Sequence, residues 1–165
     1  NHICSKAESV SQYINKKINF VISQSALEHI EKDTFVIEEI TKKLCKNNTP
    51  FIQIHMVPAS KCLWLYLWHG YRQYSPRNIS KITKLFDERY NKILFKLGSS
   101  RSNYIHKKFI TYPKIFRKKD LRFQNNKEYK TEFLHSLSDA KKIETSFYAL
   151  IISSKNGYNI NLSDF

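Results

Sequence analysis

"SPRNISKITKLFDERYNKILFKLG", residues 75–98, is the stretch on which the fold turns. Ser75 suits a helix N-cap, Pro76 a first turn and Gly98 a stop. Between them Ile79, Ile82, Phe86, Tyr90, Ile93 and Leu97 recur three or four residues apart. That period predicts one long amphipathic helix with its apolar stripe against a core. The opposite face would carry Lys81, Lys84, Arg89, Lys92 and Lys96, relieved by Asp87 and Glu88.

Just upstream, "FIQIHMV" (51–57) alternates and "CLWLYLW" (62–68) is a continuous apolar run. Joined through Pro58, they predict a strand pair. The N-terminal third reads as two helices. Ser5 to Glu8 spells a capping box ahead of Val10, Ile14, Ile18 and Val21/Ile22, and Ser25 to Glu28 repeats it ahead of Leu27, Ile30, Ile37, Ile40 and Leu44. Downstream, "NYIHKKFITY" (103–112) fits a strand and "PKIFRKKDLRFQNNKEYK" (113–130) a loop or short helix. Ser136 and Asp139 then open a closing helix with Ile143, Phe147, Leu150 and Ile151 inside, and "YNINL" (158–162) alternates as an edge strand. The expectation is a single α+β domain over 1–165, weighted towards helix. It would hold about four amphipathic helices and a small, mostly antiparallel sheet. Residues 1–48 would be helical scaffold, 51–135 a basic functional segment, and 136–165 the closing helix and edge strand.

With 165 residues and 41% hydrophobic content the chain can build a core, which excludes wholesale disorder. Three glycines and four prolines argue for long regular elements. No run reaches 18 apolar residues, so no membrane span is expected. The chain opens at Asn1, in keeping with a fragment or a processed chain. Cys4, Cys45 and Cys62 form no C-x-x-C pair and read as small hydrophobes of a reducing, intracellular protein without disulfides. None of the six histidines has metal-ligand spacing, so neither metal nor cofactor is expected.

Charge is concentrated. Residues 61–135 carry 18 Lys/Arg against 5 Asp/Glu, whereas both flanks are near neutral. Like charges at that density repel unless an anionic partner offsets them. Arg101, Lys107, Lys108, Lys114, Arg117, Lys118, Lys119 and Arg122 are interleaved with Tyr104, Phe109, Tyr112, Phe116 and Phe123. Cations for phosphates and rings for stacking, Tyr112 and Phe116 among them, suit RNA or single strands. With Lys81, Lys84, Lys92 and Lys96 added, the segment predicts a nucleic-acid-binding domain, or one for another polyanion. A helix-turn-helix is excluded, because strand and turn precede the basic stretch. An anionic membrane surface is the alternative partner, with "CLWLYLW" inserted beside the patch. A metal-independent ribonuclease toxin using His55, His69 or His106 is a further one.

"LWHGYR" (67–72) resembles the strand-ending His-Gly element of poly(ADP-ribose) polymerases and diphtheria-type ADP-ribosyltransferases, and "RSNY" (101–104) resembles their downstream Ser/Tyr element. The resemblance implies that His69 and Gly70 hold the nicotinamide ribose and amide. It implies further that Tyr104 stacks on the nicotinamide and that a late glutamate, Glu128, Glu132 or Glu144, completes catalysis.

Overall fold

The computed structural model describes residues 3–60, 71–138 and 143–155. In chain order the elements are a 3₁₀ turn (Ala7–Tyr13), β1 (Phe20–Gln24), a second 3₁₀ turn (Leu27–His29), α1 (Asp33–Lys46), β2 (Ile52–Pro58), α2 (Pro76–Lys84), β3 (Tyr90–Ser99), α3 (Ser100–His106), a π turn (Lys107–Thr111), α4 (Tyr112–Arg117), α5 (Leu121–Gln124), α6 (Asn126–Ser138) and β4 (Ile143–Ser154). The class is the expected one, a single α+β domain. The four strands form one mixed sheet in the order β1-β2-β4-β3, with β1 parallel to β2 and the other two pairs antiparallel.

The long helix over 75–98 is the main correction. Ser75 does cap α2, accepting the Asn78 N–H at 3.2 Å, but the helix stops at Lys84. From Tyr90 the chain is a strand, because Asn91, Ile93, Phe95 and Leu97 also recur at period two and pair with β4 throughout. Lys92 and Lys96 therefore sit on a strand and not on a helix face shared with Lys81 and Lys84. The closing helix is likewise replaced by β4, whose run "FYALII" lies between two partner strands. The first N-terminal helix shrinks to a 3₁₀ turn followed by β1, where Val21 and Ile22 extend beside β2. The second begins at Asp33, since Ser25 adopts a left-handed φ of 46° and does not cap. The strand expected at 103–112 is α3 and the π turn. "CLWLYLW" and "YNINL" lie outside the described residues.

One face of the sheet is packed over β2 and β4, while Lys92, Leu94 and Lys96 of β3 stay exposed on it. Register puts Gln53, His55 and Val57 beside Ile152, Leu150 and Tyr148. Ile37 from α1 and Ile79 and Ile82 from α2 bury against that face. Each such side chain contributes about 1.5–3 kcal/mol. A second cluster joins Ile14, Val36, Ile40, Leu44 and Phe51 under α1. A polar line crosses the same layer: Ser23 Oγ lies 2.8 Å from His55 Nδ1, His55 Nε2 3.2 Å from Gln53 Oε1, and Gln53 Nε2 2.7 Å from Thr41 Oγ1, which donates to Ile37 O. The other face is apolar (Phe20, Ile22, Ile52, Ile54, Ile93, Phe95, Ile151), and among the described residues the helical segment after β3 reaches only its Met56–Leu97–Phe147 end.

Candidate functional site

In open sheets with parallel strands, ligands bind beyond the carboxyl ends of those strands. Here β1 ends at Gln24 and its register partner on β2 is Met56. The Ser25 N–H donates to Met56 O at 3.0 Å, and the chain turns through Leu27–His29 into α1. Residues 71–75 lie against this end. Tyr74 N–H donates to Pro58 O, Ser60 N–H to Tyr74 O, and Tyr71 N–H to Glu28 O at 2.6 Å. The buried Asp33 carboxylate accepts from Arg72 Nη1 at 3.0 Å and from the Tyr74 hydroxyl. Burial, then the Asp33 hydrogen bond, pushes the Tyr74 hydroxyl far above the usual phenol range. A proton held so firmly suits a clamp between α1 and the β2 end better than acid–base work.

On the opposite face, between the sheet and residues 102–133, is a cavity of about 270 Å³. Met56, Leu97 and Phe147 form its sheet side, and Ile105, Ile110 and Phe133 its helical side. The polar atoms at its wall are engaged within the protein. Ser146 donates to Asn103 Oδ1, Asn103 Nδ2 donates to Glu144 O at 3.4 Å, and His106 Nδ1 is 3.2 Å from Thr111 Oγ1. What remains is an apolar container. Gly98 makes it possible: its φ is 114°, and a Cβ there would lie 2.1 Å from Ser146 Oγ. A π turn forms part of the helical wall, with Phe109 fully buried against Tyr129, ring centroids 5.5 Å apart. A broader depression of about 640 Å³ at Asp87, Arg89 and Lys155 lies at the far end of β3 and is an open surface beside an exposed ion pair.

The basic segment is less uniform than its sequence. Arg101 pairs with Glu132 at 3.3 Å, Lys108 with Glu128 at 2.7 Å, and Asp120 takes Arg122 at 2.8 Å and Lys114 at 3.7 Å. These cations hold Asp120 down at about 2, chiefly through the Arg122 hydrogen bonds. Lys107 is half-buried in the π turn, while Arg117, Lys118 and Lys119 end α4 exposed. Phe116 is 78% and Phe123 79% exposed, and Tyr112 is exposed as well, whereas Phe109 is core. Lys81, Lys84, Lys92 and Lys96 lie on α2 and β3. Tyr104 projects from α3, exposed, Glu144 stands exposed near the start of β4, and His69 lies outside the described residues. Of the remaining histidines named above, His55 is core and His106 lines the cavity.

Neither the clamp nor the cavity was predicted from sequence. Their residues come from separate elements, and Gly98 read as a helix stop. The one available signal was a glycine directly after the alternation Ile93-Phe95-Leu97, which marks a strand meeting close backbone.

No family model and no curated protein matches the chain. Among solved structures it is similar to the plantazolicin methyltransferase BamL, crystallised with a triazolic desmethylPZN analog and SAH. The match has a TM-score of 0.53 at 11% identity and covers 92% of this chain and 58% of that one. At that identity the likeness shows the fold. This chain spans 58% of its neighbour's length. The finding overturns the function expected from charge: the fold is shared with a methyltransferase, not with a basic nucleic-acid-binding domain. Among the described residues no helix is long and apolar enough to cross a membrane.

Proposed function

We propose that this chain is the acceptor-side portion of a methyltransferase-type enzyme, its cavity receiving the apolar, planar part of the molecule to be modified. The observation that carries the reading is the fold match, over 92% of the chain, to a methyltransferase crystallised with SAH. The position of the cavity beside the carboxyl ends of the parallel strands agrees with it. Cavities of about 150 Å³ hold benzene, so one of about 270 Å³ is large enough for a bicyclic ring.

SAH carries a nucleoside, and such groups are cradled by a glycine-rich turn from strand to helix. The turn from β1 to α1, residues 25–32, has no glycine, and the Glu28 side chain within it is packed into the core. That turn does not fit such a group. What the chain's own residues do is exclude water and fix the orientation of a ring. Met56, Leu97 and Phe147 give a flat floor, and Asn103 and Ser146 stiffen one wall through their mutual hydrogen bond.

Ligand-observed NMR with indole tests the cavity. The expected Kd is on the order of 1 mM, and Ile110→Trp, which fills the space, should weaken it about tenfold or more. Binding that ignores Ile110→Trp, or no binding, refutes the site. Release of SAH by the complete gene product, given S-adenosylmethionine and a small-molecule extract, tests the reaction. No release above the buffer blank refutes it.

A further inference from the structure

The two edges of the sheet are built differently. β3, at one edge, has Lys92 and Lys96 along it and a register shift between Leu97 and Ser99. Charges and bulges of this kind are how natural sheets prevent further strands from adding. β1, at the other edge, reads Phe-Val-Ile-Ser-Gln, with no charge, proline or bulge. Ile52 N–H donates to Asn19 O at 2.9 Å and Ser25 N–H to Met56 O at 3.0 Å, which places the inward-facing backbone groups on the odd-numbered residues. Because these groups alternate along a strand, the N–H and C=O of Phe20, Ile22 and Gln24 point to the outer edge, where no described residue bonds them.

The side chains of the same residues continue the bare apolar face. Phe20 is 51% and Ile22 54% exposed, and Ile52, Ile54, Ile93, Phe95 and Ile151 beside them are only partly covered. A contiguous exposed apolar face of this kind marks an interaction surface. Here α1 and α2 pack on the opposite face, and the helical segment after β3 reaches one end of this one. The structural neighbour has 42% of its length (100% less the 58% matched) without counterpart in this chain.

We propose that β1 and the bare face dock a strand–helix unit of the same, longer polypeptide: a strand pairs with the open edge of β1, and a helix lies over Phe20, Ile22 and Ile54. Pairing concerns the fold and is read independently of methyl transfer: amide protection reports the first and SAH release the second.

The test compares hydrogen exchange in the 165-residue chain with that in the complete gene product. In the short chain the amides of Phe20, Ile22 and Gln24 should exchange almost without protection, and in the complete product about 100-fold slower or more. Ile22→Lys in the complete product should restore fast exchange at all three while leaving the α1 amides protected. Since Ile22 is half exposed here, the variant folds. Equal exchange in the two proteins overturns the proposal, as does a gene product with nothing beyond these residues. So does protection in the short chain accompanied by a dimeric mass, which would assign the edge to a second copy.

Discussion

Acidification from pH 7 to pH 5 should cost this protein about 2 kcal/mol through one residue, His55. The ring is 1% exposed, and burial pushes its imidazole down to about 4 from an ordinary 6.5. Gln53 gives its amide N–H to Thr41, so its Oε1 faces His55 Nε2, which carries the proton, while Ser23 donates to Nδ1. The folded state therefore holds a neutral ring where the unfolded chain takes up a proton. Between pH 6.5 and 4 the unfolded state binds more protons, so stability falls as pH falls, by about 3 kcal/mol over the whole window. About 2 kcal/mol of this is gone by pH 5. For a domain worth about 5–15 kcal/mol that is a large share. Urea unfolding at pH 7, 6, 5 and 4.5, followed by circular dichroism, would measure it for the wild type and for His55→Gln, which keeps an amide in the polar line but cannot titrate. The two stability curves should converge by about 2 kcal/mol between pH 7 and pH 5. Curves that stay parallel would refute the account.

Asp33→Asn removes the charge on which Arg72 and Tyr74 converge and should cost about 3 kcal/mol in urea unfolding. Gly98→Ala places a methyl group against Ser146 at a φ of 114° and should cost about 2 kcal/mol or more; the second change Ser146→Gly should return only part of it, because the backbone strain stays. Asp120→Asn keeps a capping oxygen for α5 but removes two ion pairs, with an expected loss of about 0.5–1 kcal/mol and faster proteolysis after Lys118 or Lys119. Phe116→Ala, at a fully open ring, should change stability by less than about 0.5 kcal/mol.

The parts of the fold legible in the sequence were those where only one period fits. The alternation of 51–57 gave β2, and Ile37, Ile40 and Leu44 gave the body of α1. Residues 90–97 satisfy two periods, since Tyr90, Ile93 and Leu97 fit a helix and Ile93, Phe95 and Leu97 a strand. Pairing with β4, remote in sequence, decides between them. β4 itself is apolar on both faces, which hides a strand's alternation. The site was less legible still. Asp33, Arg72 and Tyr74 meet only after the chain has folded back, and the cavity wall is drawn from both sheet and helices. Charge was read correctly as composition, but composition does not show which cations stand free and which are tied to Asp120, Glu128 and Glu132.

β3 and β4 are antiparallel neighbours, a pairing that a two-residue hairpin is enough to connect. Residues 100–142 stand in that place instead. The sheet fixes where this excursion leaves, after Ser99, and returns, at Ile143, and ties it down through Asn103, which bonds Ser146 and Glu144 O. Beyond those ties its length and composition are free to vary while the strand framework persists.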